Sequence, residues 1–415
     1  MSEKEAIFKL TRSMIDACDS CKDLGTRETA FTRHRKLRAK NLLRIFLHRL
    51  AGSLQLSLDA YYDFVEEYPV SKQAFSKARS NLNPDYVRKF ADGIAEIHAN
   101  SPDAPTYLGM RLIAIDGTDI ALENSPALKA AFGCSGPQNN AATALGSLAY
   151  GPLDHAIYDF QLAPYVTDER ELAEIHMNRL TQLGLKGSLL LFDRWYPSKK
   201  FIAHTINAGF FFVMRVREKW NLDVDRIKTQ GDVVLRHDGQ EFSVRVLKVL
   251  LSSGETETLL TNLDSQKLPI GDAADLYFKR WGIETAYDLL KSKLQLENFS
   301  GRTEVSVFQD FYATVYLACL AAACAKEADV LIADRDAEKN LKCRRKSSHN
   351  RTISKLRNQF WHILLEPSTA MRDQLLKQLC QDIAARPESV RPGRSPLHKS
   401  PRNKRFPMAK KAVLP

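Results

Sequence analysis

The chain has 415 residues, of which 44% are hydrophobic, and a formal net charge of +11. This length and apolar fraction allow a sizeable buried core, which excludes a collagen-like polymer, a small disulfide scaffold and a chain disordered throughout. Lysine and arginine concentrate in three segments, 31–50, 340–357 and 386–415, which together contain one acidic residue, Glu388. These segments suit a polyanionic partner such as DNA, although each alone is equally consistent with a solvated helix face or tail.

The cysteines and apolar runs indicate the compartment. Seven cysteines lie at scattered positions, which predicts a reducing cytoplasm rather than a disulfide framework. Cys18 and Cys21 form one CxxC pair, but no second pair follows at a spacing suited to zinc. We expect no signal peptide at residues 1–11 and no membrane partner, because the longest apolar run, 311–325, is shorter than the roughly 20 residues that a membrane span needs.

The first hundred residues are predicted to be helical. Ser71 is placed to cap a short helix that either enters a DNA groove or forms an ordinary surface helix. The side chains that this helix would display are Lys72, Gln73, Lys77 and Arg79. A Pro-rich stretch at 101–105 marks a boundary, so residues 1–105 are predicted to form a helical, DNA-binding domain.

Strands alternate with helices in the middle of the chain. Short apolar runs at 112–115 and 189–192 predict strands, and the segment from about 211 to 265 is rich in strands. The pattern predicts an α/β domain over 106–330 with an all-β insertion at about 211–265. Residues 331–415 are predicted to form a basic helical C-terminal region, with a proline-rich, disordered tail from about 386.

One predicted helix, beginning near Asp272, carries an unusual polar stripe. At about 100° per residue, its polar side chains fall within roughly 80° of one another on one face. The members of this stripe are Tyr277, Arg280, Glu284, Asp288 and Lys291. An aromatic ring, two cations and carboxylates on one face suit a site for metal and phosphate, but a plain amphipathic helix explains the segment as well.

Two aspartates extend this hypothesis. Asp116 and Asp193 follow the apolar runs at 112–115 and 189–192, where the loops of an α/β sheet commonly build sites. With Glu284 they would supply hard oxygen ligands for two Mg²⁺ ions, an arrangement used to cleave or join phosphodiesters. Aspartates after strands are also common without any such role.

Three segments carry a family resemblance. They are Ile115-Asp116-Gly117-Thr118, Phe192-Asp193-Arg194, and Tyr277-x2-Arg280-x3-Glu284-x6-Lys291. They resemble the three signatures of the DDE transposases of bacterial insertion sequences, in the insertion-sequence-4 branch that is defined by the Tyr-Arg-Glu-Lys motif. One departure is Trp195, which stands where family members usually have glycine.

The resemblance implies an RNase H-like catalytic domain in which Asp116, Asp193 and Glu284 are the catalytic metal ligands. It also implies that several side chains contact the DNA strand near the cleavage point. These are Tyr277, Arg280 and Lys291. Beside the second aspartate we also expect Arg194 and Trp195 to contact DNA, since an aromatic ring such as that of Trp195 can stack on a base.

The implied activity is cut-and-paste transposition that depends on two Mg²⁺ ions, with Mn²⁺ able to substitute. Its steps are nicking, a hairpin intermediate, hairpin opening and strand transfer. The implied partners are the terminal inverted repeats, target DNA and a second copy of the chain on DNA, in a bacterial cytoplasm and at the nucleoid when DNA is bound. Two alternatives remain: a catalytically inactive, sequence-specific DNA-binding protein and a metal-dependent nuclease without strand transfer.

Overall fold

The structure is a computed structural model that describes residues 2–32, 36–48, 54–136, 140–250, 254–339 and 341–390. Its α-helices are α1 (Glu3–Ala17), α2 (Ala39–His48), α3 (Leu54–Phe64), α4 (Lys72–Arg79), α5 (Pro84–Ala99), α6 (Pro126–Phe132), α7 (Glu169–Gln182), α8 (Lys199–Asn207), α9 (Leu222–Arg226), α10 (Ile270–Phe278), α11 (Gly282–Asp288), α12 (Glu304–Asp336), α13 (His349–Leu365) and α14 (Thr369–Ala384). Its strands are β1 (Leu112–Ala121), β2 (Cys134–Ser135), β3 (Ala141–Tyr150), β4 (Ile157–Pro164), β5 (Leu189–Phe192), β6 (Phe211–Val216), β7 (Gln230–His237), β8 (Gln240–Leu250), β9 (Thr256–Thr261), β10 (Arg345–Lys346) and β11 (Glu388–Ser389).

The chain divides into two compact units. The helical unit comprises Met1–Ile97, Ile120–Ala144 and Asp288–Pro415, and the sheet unit comprises His98–Asp119 and Leu145–Tyr287. The helical unit thus draws on three separate stretches of chain. The division into domains in chain order, at about 105 and 330, stays a prediction.

The sheet unit is built on a large mixed sheet with the strand order β3-β1-β5-β6-β9-β8-β7 and with β4 beside β3. Strand β5 runs parallel to β1 and β6, whereas β9, β8 and β7 continue the sheet with antiparallel pairing. Strands β1 and β5 begin as unbroken apolar runs, as expected for parallel strands with both faces buried. Helices α7 and α8 cover the core with Met177 and Phe201, which pack with Ile113, Leu190 and Phe212.

Local sequence signals account for many of these elements. The predicted strand at 189–192 is confirmed as β5, and the predicted Ser71 cap is confirmed at α4. The Ser71 and Ser198 hydroxyl oxygens and the Asp168 carboxylate each accept a hydrogen bond from a backbone N–H in the first turn of α4, α8 and α7, respectively.

The first strand of the sheet unit differs from its prediction. Strand β1 continues to Ala121, so Asp116 lies within a strand and not at its end. The parallel pairing with β5 stops at Ala114, but β1 also neighbours β3 in the sheet, which keeps its backbone extended.

The strand-rich segment at about 211–265 belongs to the same sheet. Strand β6 is a parallel neighbour of β5, and β9 returns beside β6. The segment also contains the short helix α9, so it is not purely β. Strands β7 and β8 form a hairpin whose turn has left-handed backbone at Asp238 and Gly239, as the Asp-Gly pair favours.

The helical unit is centred on α12, a helix of 33 residues that begins after a Thr303 cap. It contacts α1, α2, α13 and α14, and the apolar run at 311–325 lies within it as a buried segment. Among the helices that the structure describes, none is both long and apolar enough to cross a membrane. Strand β11 pairs with β10, so the first residues after 386 are ordered, contrary to prediction, and the rest of the predicted tail lies outside the described residues.

Candidate active site

Asp116, on β1, and Asp193, directly after β5, lie at matching heights along two neighbouring parallel strands. The β1–β5 register pairs Ala114 with Leu191, and each aspartate follows its partner of that pair by two residues. The Asp193 charge also contributes to raising the pKa of the Asp116 carboxyl, in agreement with this placement. The aspartates therefore meet because the strands are parallel and in this register.

Arg280 joins Asp116 to Glu284. Its Nη1 lies 3.2 Å from Oδ2 of Asp116, and its Nη2 lies 3.4 Å from Oε1 of Glu284, one helical turn further on. The Arg280 side chain is 9% exposed, whereas Glu284 is 42% exposed. The structure thus brings all three predicted carboxylates to one region of the sheet unit, with a buried guanidinium between two of them.

Burial and crowding control the charge of Asp116. The pKa of its carboxyl is raised to about 7, and burial is the largest cause. Arg280 lowers this pKa, whereas the carboxylates of Asp193 and Glu169 raise it. An added cation would favour the ionised form of such a carboxyl. The donor chemistry therefore fits a hard divalent cation held by Asp116, Asp193 and Glu284. Within the described ranges, no three or more His, Cys, Asp or Glu side chains are arranged so that they could hold a metal ion. Arg280 is paired with two of the three predicted ligands, Asp116 and Glu284.

Glu169 is a fourth carboxylate here, and the sequence analysis missed it. It is the first residue of α7, and its Oε2 accepts a hydrogen bond of 3.1 Å from the Tyr196 hydroxyl. A Cβ added to Gly117 would lie 2.8 Å from the Glu169 carboxyl carbon, so glycine at 117 permits this approach. Burial, followed by the Asp193 charge, raises the pKa of Glu169. The only sequence signal was an acidic residue in the first turn of a helix, which is common on its own.

Tyr277 and Arg280, predicted DNA contacts, are both buried. The Arg280 guanidinium lies 5.7 Å from the centre of the Tyr277 ring and 5.3 Å from that of Trp281. The hydroxyl of Tyr287, a residue that the sequence analysis did not select, donates a 2.6 Å hydrogen bond to the backbone oxygen of Asp116. Tyr277 and Trp281 thus lie beside the guanidinium, and Tyr287 holds the strand that carries Asp116.

The helix that carries the stripe changes pitch twice. It begins at Ile270, tightens to a 3-10 turn at Lys279–Trp281 and widens to a π turn at Leu289–Lys293. A single angle per residue therefore does not extend from Tyr277 to Lys291. Lys291 belongs to the helical unit, where its Nζ lies 3.8 Å from Oε1 of Glu297.

Trp195 and Arg194 are exposed beside Asp193. Trp195 is 57% exposed, its backbone N–H donates to Oδ1 of Asp193 at 2.7 Å, and its backbone avoids the left-handed region. The tryptophan is thus accommodated where the family usually has glycine. The Arg217 guanidinium lies 3.4 Å from the centre of its ring, so a cation covers the aromatic surface on one side.

The predicted surface helix α4 is only partly as expected. Lys72, Gln73 and Lys77 are exposed, but Arg79 is buried. Its Nη2 lies 3.0 Å from Oδ1 of Asp310 on α12, and its guanidinium packs over a phenylalanine ring. Arg79 therefore anchors α4 to the helical unit, and the prediction that it is displayed is wrong.

Comparison with known proteins identifies the class. The family described as "Transposase DDE domain" matches residues 107–320, more than half of the chain, and the chain belongs to this family. The similarity to a transposase of insertion sequence element IS4, described below, supports the predicted insertion-sequence-4 branch. Membership implies that the domain uses a divalent metal.

Two proteins show similarity to this chain. "Transposase InsG for insertion sequence element IS4" from Escherichia coli (strain K12) is 24% identical over 282 residues, which span 62% of this chain and 60% of that protein. A cryo-EM structure of the piggyBac transposase synaptic complex with hairpin DNA aligns with a TM-score of 0.42 and 13% identity, over 94% of this chain and 78% of that one.

Proposed function

We propose that the protein is a DNA transposase that moves an insertion sequence by a cut-and-paste mechanism. The observation that carries the proposal is the meeting of Asp116, Asp193 and Glu284 around Arg280, in a chain of the DDE transposase family. The sheet unit would contain the RNase H-like catalytic fold, predicted over residues 106–330.

In this proposal Asp116, Asp193 and Glu284 hold two Mg²⁺ ions, and Mn²⁺ can replace them. Bound at these carboxylates, the metal would activate a water or 3′-hydroxyl and stabilise the leaving oxygen. Burial of Asp116 keeps bulk water from one side of the site, and Arg280 balances the carboxylate charge when DNA and metal are absent. The more exposed Glu284 is the ligand that approaching DNA meets first.

The bond changes follow from an in-line attack on phosphorus. Water breaks one phosphodiester and releases a 3′-hydroxyl, which then attacks the opposite strand to form a hairpin. A second water opens the hairpin and regenerates the 3′-hydroxyl, which attacks a phosphodiester of target DNA. Each step replaces one P–O bond by another, so no external energy source is required.

Side chains around the carboxylates would contact the DNA. Trp195, backed by Arg217, offers a ring on which a displaced base can stack, and Arg194 is exposed beside it for a phosphate. The resemblance also assigns Tyr277, Arg280 and Lys291 to the DNA strand. Because Arg280 is buried against two carboxylates, it would reach a phosphate only after metal takes over their neutralisation.

The base-stacking role of Trp195 can be tested by substitution. We expect Trp195→Ala to slow cleavage about tenfold, since stacking a base on an aromatic ring contributes about 1–3 kcal/mol. Trp195→Phe should recover most of the rate because it keeps an aromatic face. Single-turnover cleavage of end DNA measures both rates, and equal rates for the alanine and phenylalanine variants would remove stacking from the proposal.

End recognition is assigned to residues 1–105, with α4 as the helix that contacts DNA. We expect the double change Lys72→Ala and Lys77→Ala to weaken binding and to reduce the slope of log affinity against log salt by about 2, because each lysine would neutralise one phosphate. Fluorescence anisotropy on terminal-repeat DNA across a salt series measures this slope.

Lys89 and Lys326 provide a matched control in the same helical unit. They are already paired with Asp23 and Glu3, so their joint replacement by alanine should leave the slope unchanged. An unchanged slope in the Lys72 and Lys77 variant would remove α4 from the DNA contact.

The partners follow from the same proposal: terminal inverted repeats, target DNA and a second copy of the chain that brings two ends together, with the basic region 331–415 binding DNA or that copy. We expect the protein in a bacterial cytoplasm and at the nucleoid when it binds DNA. The inactive DNA-binding protein and the nuclease without strand transfer are the competing functions.

An excision assay tests the whole proposal. The substrate is a plasmid that carries the DNA flanking this gene, and the products are followed with Mg²⁺ and with a chelator. Transposition predicts Mg²⁺-dependent excision, hairpin ends and joined target products. Cleavage without joined products supports the nuclease, and tight binding of the flanks without cleavage supports the inactive DNA-binding protein.

A further inference from the structure

A chain of fully buried polar side chains ends on the backbone of Asp116. Nδ1 of His176, on α7, lies 2.7 Å from Oδ2 of Asp159 on β4, and its Nε2 lies 2.9 Å from the Ser147 hydroxyl on β3. The Ser147 hydroxyl in turn donates a 3.2 Å hydrogen bond to the backbone oxygen of Asp116. Three elements of the sheet unit thus converge on one peptide group.

These residue types resemble a nucleophilic triad, but the geometry excludes that role. Ser147, Asp159 and His176 are all 0% exposed, so no substrate reaches the hydroxyl. The hydroxyl is also committed to a backbone oxygen. This series of hydrogen-bonded side chains must therefore act on strand β1 and not on a bound molecule.

The single hydroxyl hydrogen of Ser147 determines which groups donate and which accept in these hydrogen bonds. Ser147 has one hydroxyl hydrogen, and it is used in the bond to Asp116. The Ser147 oxygen therefore accepts at its contact with Nε2 of His176. The Asp159 carboxylate, which also accepts a 2.7 Å hydrogen bond from the Gln161 amide, holds the other side of the ring at Nδ1.

The backbone oxygen of Asp116 accepts a second hydrogen bond, at 2.6 Å, from the Tyr287 hydroxyl. A carbonyl oxygen has two lone pairs, so Ser147 and Tyr287 together satisfy it. The Asp116 peptide is thus held from two directions. Because the carboxylate belongs to the same residue, holding the peptide in place also holds the Cα from which the side chain extends.

We propose that Ser147, supported by His176 and Asp159, positions the Asp116 carboxylate for divalent metal. This inference rests on the proposed function, in which Asp116 is a metal ligand. Partners behind metal ligands set ligand geometry, and their loss commonly lowers metal affinity or activity by about 10- to 100-fold. Ser147, His176 and Asp159 are thus positioning residues that act through Asp116.

Ser147→Ala tests the inference, because it removes the hydroxyl and changes the side-chain volume only slightly. Ser188→Ala is the matched control: Ser188 is a buried serine of the same unit, and its hydroxyl donates to the backbone oxygen of Leu185. Mn²⁺ binding to the protein without DNA is measured by isothermal titration calorimetry, and single-turnover cleavage of end DNA is measured against Mn²⁺ concentration. We expect the half-saturating Mn²⁺ concentration to rise about tenfold in Ser147→Ala and to stay unchanged in Ser188→Ala, with nearly equal rates at saturating Mn²⁺.

Tyr287→Phe removes the other donor to the same oxygen and keeps the test informative if Ser147→Ala is poorly folded. It should also raise the half-saturating Mn²⁺ concentration. Unchanged Mn²⁺ dependence in the folded variants, or a rate lowered equally at every Mn²⁺ concentration, would overturn the positioning role. Asp116→Asn separates the two proposals: its full activity would overturn the proposed function, whereas its inactivity beside an unaffected Ser147→Ala would overturn this inference alone.

Discussion

Glu284→Gln should bind DNA normally and cleave it about a thousandfold more slowly. The substitution keeps the size of the side chain and an oxygen that can accept from Arg280, which lies 3.4 Å away. It removes the negative charge that a divalent cation requires, and a loss of about 4 kcal/mol of transition-state stabilisation corresponds to this factor. Binding by gel shift and cleavage by denaturing gel, with the same end DNA and Mg²⁺, measure the two properties separately.

Glu241→Gln is the matched control for this prediction. Glu241 also pairs with an arginine, Arg236, at 2.6 Å, but it lies on the exposed hairpin of β7 and β8. It should cleave at the wild-type rate. Cleavage by Glu284→Gln at a comparable rate would remove Glu284 from the set of metal ligands.

The sequence predicts features of this site that depend on local pattern. An unbroken apolar run predicts β5 and places Asp193 directly after it, and Ser71 indicates where α4 begins. Hydrophobic runs and caps depend on neighbours along the chain, so they are visible without a structure.

The contacts that complete the site depend on residues far apart in sequence. Strand β1 extends past Asp116 because β3 lies beside it, and no local signal announces that pairing. Glu169 approaches Gly117 only after α7 packs on the sheet. Arg79 is a further example. A basic residue on a short helix is expected to be exposed, but Arg79 has a buried partner, Asp310, that is far away in sequence.

Arg280→Ala should destabilise the metal-free protein by about 3 kcal/mol and make Mg²⁺ a stabilising ligand. Arg280 is the buried cation between Asp116 and Glu284, and removing one partner of a buried ion pair leaves uncompensated charge. The half-exposed Glu284 can turn to water, so the loss should lie at the lower end of the range for buried pairs. Urea unfolding with and without Mg²⁺ measures both effects.

The Mg²⁺ response separates a charge-balancing role from a packing role. Mg²⁺ at about a hundredfold over its Kd would add about 2.7 kcal/mol to a variant whose carboxylates are free to bind it. The wild type should gain less, because Mg²⁺ must first displace the guanidinium. Arg245→Ala is the control: this buried arginine donates to the backbone oxygens of Asp264 and Leu268, so its loss should destabilise the protein but leave the Mg²⁺ response as small as that of the wild type. An equal Mg²⁺ response in both variants would mean that Arg280 does not occupy the place of the metal.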